Sequence, residues 1–80
     1  MSTLKKYKQI FVKVFSIKND KKIDNLKYQD IDEWDSIGHM TLISELENAF
    51  KISIETDDII DFSSYKKGQE ILKKYKVKFD

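Results

Sequence analysis

The sequence predicts an all-α protein: a small four-helix bundle of three longer helices and one short helix, with a long loop between helices 1 and 2. The chain of 80 residues has no proline and only two glycines, too few for the many tight turns of an all-β protein. Apolar residues recur at three- and four-residue steps in several segments. A hydrophobic content of 40% allows one small core, so residues 1–80 are expected to form a single domain.

Helix 1 is predicted over residues 3–17. Its apolar residues recur at helical spacing, with lysines between them: Leu4, Tyr7, Phe11 and Val14. Residues 16–35 keep no regular period. Because so long a connection is unusual in a small domain, we expect it to be anchored on the core by its apolar residues or to contain a helical turn. Trp34 is expected to be such an anchor.

Helix 2 is the clearest predicted element and begins after Asp35. Its inward stripe follows an i, i+4, i+7, i+8 spacing: Leu42, Leu46, Ala49 and Phe50. Asp35 is a good N-cap, which makes Ser36 the first helical residue and leaves its side chain exposed beside free backbone N–H groups. Such groups attract anions, including a phosphate.

Two further helices are predicted after helix 2. Thr56 is expected to cap a short helix, since the two acids that follow it suit the positive end of a helix dipole. Ser63 or Ser64 is expected to cap the last helix. Gly68 lowers helix propensity by about 1 kcal/mol relative to alanine, so we expect a close packing contact at that position.

Charge is distributed unevenly along the chain. Seven lysines and one aspartate give +6 over residues 1–22, two lysines and eleven acids give −9 over residues 23–62, and six lysines and two acids give +4 over residues 63–80. All 15 basic residues are lysine, whereas nucleic-acid recognition favours arginine, so no nucleic-acid partner is expected.

Several classes of protein are not expected from the composition. The chain has no cysteine and one histidine, which argues against disulfides and against a permanent metal site. No apolar run approaches the roughly 20 residues that a membrane span needs. Residues 1–8 are Lys-rich and lack the apolar stretch of a signal peptide, so a cytoplasmic protein is expected. The protein is also expected to be a monomer.

Ser36 lies in a distinctive segment, Glu33-Trp34-Asp35-Ser36-Ile37-Gly38-His39-Met40. Seven later residues are considered together with this segment: Leu42, Ile43, Leu46, Glu47, Phe50, Ile52 and Ile54. Together with the helical spacing, the acidic middle segment and the domain size, these residues resemble the acyl carrier protein family. The resemblance covers about residues 31–72.

The resemblance implies that Ser36 is an attachment point and not a catalyst. A phosphopantetheinyl transferase would join its hydroxyl to 4′-phosphopantetheine from coenzyme A, and Asp35 would help to hold Mg²⁺ in that complex. The arm ends in a thiol, which would hold an acyl or aminoacyl group as a thioester. The chain has no cysteine and therefore no thiol of its own. The chain itself is not expected to be an enzyme. The further partners implied are a ligase that loads the cargo and an acyltransferase or synthase that receives it.

A docking surface is expected next to Ser36. Ile37 and Met40 lie on the helix face away from the apolar stripe, where exposed apolar side chains suit a transient interface. Four acids are expected to present negative charge to basic partners: Glu47, Asp57, Asp58 and Asp61. His39, one turn after Ser36, is interpreted either as a residue that contacts the arm or as a histidine at the core boundary.

The cargo and the pathway stay open at this stage. Fatty-acid carriers are strongly acidic, whereas this chain has a net charge of +1. Gly38 is similar to the glycine of D-alanyl carriers and of discrete carriers in polyketide, peptide or surface-glycan pathways. We therefore favour a specialised carrier over one of primary fatty-acid biosynthesis. The alternative from another class is an unmodified helical interaction module whose Lys-rich ends bind nucleic acid or an acidic partner.

Overall fold

The computed structural model describes residues 3–17 and 20–79. Its four α-helices are α1 (Thr3–Phe15), α2 (Ser36–Phe50), α3 (Thr56–Asp61) and α4 (Tyr65–Lys74). The connection between α1 and α2 contains a 3₁₀ helix, Asp20–Asn25, as the unusual length of the loop indicated. The described residues form no strand. The predicted arrangement of three longer helices and one short helix is confirmed.

α1 supplies one wall of the core and packs mainly against α2. Its buried face consists of Tyr7, Phe11 and Phe15, which follow one another at four-residue steps. The helix ends at Phe15, two residues earlier than predicted, because Ser16 adopts a left-handed backbone conformation with φ 52°. Such a conformation does not continue a right-handed helix.

α2 runs through the middle of the bundle and buries the predicted stripe in part. Leu42, Ile43 and Leu46 are buried, whereas Phe50 at the C-terminal end is only half-buried. The helix ends because Lys51 is left-handed, with φ 55° and ψ 50°, and donates its backbone N–H to the carbonyl of Glu47. This is a common way to satisfy the last free carbonyls of a helix.

α3 is a single short helix whose start was predicted one residue too late. The N-cap is Glu55, which makes no capping hydrogen bond through its side chain, and Thr56 is already helical. Phe62 follows the last residue of α3 and is 1% exposed, while Ile59 is half-buried. The bundle therefore holds this helix by residues in its middle and by Phe62 just beyond its C-terminal end.

α4 closes the bundle and begins at the second of the two candidate caps. The hydroxyl of Ser64 accepts a hydrogen bond from the backbone N–H of Lys67 at 3.0 Å. Gly68 is buried against two aromatic side chains: a Cβ at this position would lie 2.2 Å from Cζ of Phe62 and 2.3 Å from the hydroxyl of Tyr7. The expected close contact is confirmed. Among the described residues, no helix combines the length and apolar character required to cross a bilayer.

Candidate functional site

Ser36 is the first residue of α2 and its side chain is exposed. The preceding residue, Asp35, is the N-cap: its backbone is extended and its Oδ1 accepts a hydrogen bond from the N–H of Gly38 at 2.8 Å. Both positions agree with the sequence prediction. The cap fixes the first turn of the helix, so the Ser36 hydroxyl projects from a well-defined backbone.

The loop before Ser36 is held in place by Trp34. Its indole is fully buried and stacks on Phe15 of α1, with ring centroids 5.2 Å apart. Its carbonyl accepts a hydrogen bond from the backbone N–H of Gln29 at 3.1 Å. The predicted anchoring role of Trp34 is confirmed, and it ties the start of α2 to the core.

His39 joins this loop to α3. Its Nδ1 accepts a hydrogen bond from Nε1–H of Trp34 at 2.9 Å. Indole nitrogen can only donate, so Nδ1 carries no proton, and the neutral ring then donates from Nε2 to the carbonyl of Ile59 at 2.8 Å. Both ring nitrogens are therefore engaged within the protein. His39 is half-buried, as the interpretation at the core boundary expects, and its contact with the arm stays a prediction.

Gly38 allows the loop to lie directly on the first turn of α2. A Cβ at Gly38 would lie 1.9 Å from the carbonyl oxygen of Glu33 and 3.3 Å from the ring of Phe15. Because the first of these neighbours is backbone, a side chain here would displace the loop. Gly38 thus has a packing role at the site in addition to its place in the sequence pattern.

A cleft of about 350 Å³ opens beside Ser36, between α2 and α3. Most of its lining is apolar and comes from Met40, Ile59, Ile60 and Phe62. Four polar residues complete the lining: Tyr28, Ser36, His39 and Ser63. The cleft therefore offers both apolar surface and hydrogen-bonding groups next to the exposed serine. Sequence reasoning did not assign Tyr28, Ile60 or Ser63 to the site.

Three large apolar side chains are exposed around Ser36, and we call them the apolar patch: Ile37 (79% exposed), Met40 (51%) and Ile60 (72%). The exposure of Ile37 and Met40 agrees with the prediction that they face away from the core. Ile60 was missed, although it follows the inward-facing Ile59 and so lies on another side of the helix. Asp57 and Asp61, on the same helix as Ile60, are exposed.

The structure gives two of the four predicted docking acids another role. Glu47 is half-buried, and its Oε2 accepts a hydrogen bond from the backbone N–H of Ile54 at 2.8 Å. Asp58 is only 7% exposed, so the expectation that it faces a partner is wrong. Its carboxylate pairs with Nζ of Lys74 at 2.6 Å and accepts a hydrogen bond from the hydroxyl of Tyr75.

The two hydrogen bonds to Asp58 also change its acidity. The pKa of this carboxyl is lowered, chiefly by the hydrogen bond from Lys74 and then by that from Tyr75, because both favour the ionised form. The same contact raises the pKa of Lys74. Through these two contacts, Asp58 links α3 to the end of α4.

The comparisons with known proteins leave the site to be interpreted from its own geometry. No protein-family model, no curated protein and no solved structure matches this chain. Among the described residues, no three His, Cys, Asp or Glu side chains are grouped so that they can hold a metal ion. The site that the fold assembles is an exposed serine at a capped helix start, beside a mainly apolar cleft.

Proposed function

We propose that the protein is a carrier whose Ser36 bears a 4′-phosphopantetheine arm. The observation that carries the proposal is the exposed hydroxyl of Ser36 at the first residue of α2, directly after the N-cap Asp35. A hydroxyl in this position is open to an enzyme that modifies it and is held on a rigid element. A flexible arm attached there raises the local concentration of its cargo at a docked partner.

The modification requires a simple substitution at phosphorus. The Ser36 oxygen forms a bond to the β-phosphorus of coenzyme A, the bond to the adenosine 3′,5′-bisphosphate leaving group breaks, and the serine proton passes to a base of the transferase. One oxygen of Asp35 caps α2, and we propose that the other faces the Mg²⁺ of the transferase complex. When bound, the arm supplies the thiol that holds a cargo as a thioester.

The residues beside Ser36 fit such an arm. The arm contains two amides, one hydroxyl and two methyl groups, and the neighbouring cleft of about 350 Å³ combines apolar side chains with hydroxyls. Met40 and Ile60 line its apolar part, and Ser63 contributes a hydroxyl. The chain has no cysteine, so no thiol of the protein competes with that of the arm.

The apolar patch and its acids form the proposed docking surface for the transferase, for the loading ligase and for the acyltransferase or synthase that receives the cargo. Apolar side chains supply contact area, while the exposed Asp57 and Asp61 attract basic partners and speed encounter. Glu47 and Asp58 have no part in this surface. We propose an acyl or aminoacyl cargo of a specialised pathway.

The unmodified interaction module gains little support. Three of the lysines in the Lys-rich ends are engaged within the fold: Lys6 with the carbonyl of Ala49, Lys13 with Glu45, and Lys74 with Asp58. The Lys-rich ends therefore serve partly to hold the bundle together. A carrier would use the exposed Ser36 and the cleft beside it. A module that binds only through its lysines would give these features no role.

The direct test is modification by a phosphopantetheinyl transferase of broad specificity, with coenzyme A and Mg²⁺, followed by intact-mass spectrometry. We expect one arm per chain, and none on Ser36→Ala. Ser44→Ala is the matched control, because Ser44 is an exposed serine on the same helix and should leave the addition unchanged. Failure of several such transferases to modify the wild-type chain would overturn the proposal.

A further inference from the structure

Tyr28 reaches the proposed attachment point from a different part of the chain. Its hydroxyl oxygen lies 3.4 Å from Oγ of Ser36, although eight residues separate the two. Tyr28 is half-buried and lines the cleft beside Ser36. Among the described residues, Tyr28 is the one side chain that forms a hydrogen bond with the Ser36 hydroxyl. Attachment of the arm at Ser36 does not by itself give this contact a role.

The position of Tyr28 is fixed from two sides. Its backbone N–H donates to the carbonyl of Ser63 at 2.9 Å, and the adjacent Lys27 pairs with Ser64 in an isolated antiparallel bridge. Its ring packs edge-on against His39, with centroids 5.4 Å apart and planes at 71°. These contacts tie Tyr28 to the segment between α3 and α4 and place its hydroxyl next to Ser36.

Two of the hydrogen-bond donors at this end of α2 are already engaged, and Asp35 is negatively charged. The N–H of Gly38 donates to Asp35, and Nε2–H of His39 donates to Ile59. A phosphodiester on Ser36 would add a negative charge beside the carboxylate of Asp35. A neutral hydroxyl donor suits such a position, since hydrogen bonds to charged groups are stronger than those between neutral groups.

We propose that Tyr28 is a positioning residue for the phosphodiester on Ser36. Its hydroxyl donates a hydrogen bond to a non-bridging phosphate oxygen and so directs the start of the arm towards the cleft between α2 and α3. This inference rests on the proposed attachment of the arm at Ser36. It concerns the modified protein, in which the Ser36 oxygen next to the Tyr28 hydroxyl has become part of the phosphodiester.

The test compares the ³¹P NMR resonance of the modified wild-type chain with that of modified Tyr28→Phe. Phenylalanine keeps the ring and removes only the hydroxyl. We expect the wild-type resonance to differ from that of the same protein unfolded in urea, and the Tyr28→Phe resonance to move towards the unfolded value. Tyr65→Phe is the matched control: the Tyr65 hydroxyl is buried without a hydrogen-bond partner, so its removal should leave the resonance unchanged.

A second measurement tests the contact between Tyr28 and the phosphodiester without a substitution. With tyrosines labelled at Cζ, attachment of the arm should shift the Tyr28 resonance and leave that of Tyr65 in place. If the wild-type chain accepts the arm but neither the ³¹P nor the Tyr28 signal responds as described, the role of Tyr28 is overturned and the carrier function stands. If the wild-type chain accepts no arm, both proposals fall.

Discussion

Single side chains decide how closely the elements of this small protein approach one another. Gly38 lets the loop lie on α2, and Gly68 lets α4 lie on Phe62 and Tyr7. At both positions a methyl group would meet atoms closer than van der Waals contact allows. The two glycines of the chain are therefore explained by packing, since neither has a positive φ.

Gly68→Ala is expected to destabilise the protein, although alanine favours helix. Overpacking a core costs about 1–3 kcal/mol, and the better helix propensity returns about 1 kcal/mol. Because both neighbours are buried rings, we expect the upper end of the overpacking cost, so the free energy of unfolding should fall by about 2 kcal/mol in urea titrations. Glu70→Ala, at an exposed position of the same helix, should change it by less than about 0.5 kcal/mol. A variant as stable as wild type would show that the packing at Gly68 has been misread.

How far residue roles can be predicted from the sequence depends on where their partners lie. Asp35 and Ser36 were predicted because a helix cap is decided by neighbours in the chain. The role of Asp58 was predicted wrongly, since its partner Lys74 lies sixteen residues away and is brought near only by the fold. Tyr28 was missed for the same reason: its contacts with Ser36 and Ser63 depend on how the long loop is laid down.

At the scale of elements, α3 is the part that most needs its neighbours. A helix of six residues is far below the length that is stable in isolation. Two connections hold it: the hydrogen bond from His39 to Ile59, and the pair that Asp58 forms with Lys74. α3 forms one side of the cleft beside Ser36, so these connections also set the width of that cleft.

The connection through Asp58 predicts a pH dependence. The pKa of Asp58 is lowered in the folded protein, so the stabilisation is present above the unfolded pKa of about 3.9 and is lost as pH falls through the folded pKa. We expect Asp58→Asn to be less stable than wild type at neutral pH and the difference to shrink in acid. Thermal unfolding between about pH 2 and pH 7 measures this. Asp32→Asn, in the exposed loop, should follow the wild-type curve; a constant difference for Asp58→Asn would contradict the linkage.

Element boundaries show the same limit of sequence reasoning. Apolar spacing identified α1 and α2, and capping residues indicated α3 and α4, because both signals are local properties of the chain. The end of α1 was placed two residues late, since Ser16 takes a left-handed conformation that its residue type does not demand. Phe50 was predicted to face inward and is half-buried, with the ammonium of Lys6 5.4 Å from the centre of its ring.

At the scale of the whole molecule, lysines and exposed apolar side chains have different roles on the surface. Lysines of α1 and α4 contact other helices, while the exposed apolar side chains gather around the start of α2. The amphipathic patterns predicted the bundle, and they also predicted which apolar residues of α2 stay outside. The cleft could not be predicted, because it exists only once α2, α3 and the loop are packed together.

Ile60→Ser tests the proposed docking surface. Ile60 is 72% exposed, so the substitution should change the free energy of unfolding by less than about 0.5 kcal/mol. Loss of an apolar interface contact should lower kcat/KM for a phosphopantetheinyl transferase roughly fivefold, equivalent to about 1 kcal/mol. Gln9→Ser, at an exposed position of α1, is the control and should leave kcat/KM unchanged. Equal rates for Ile60→Ser and wild type would remove Ile60 from the docking surface.

The most direct measurement is peptide mapping by mass spectrometry of the protein recovered from the cells that produce it. We predict that the peptide containing Ser36 carries a single phosphopantetheine, with or without a thioester cargo, and that every other serine is unmodified. Recovery of the whole protein with a free Ser36 hydroxyl, from cells shown to modify another carrier, would contradict the proposal that this serine bears the arm.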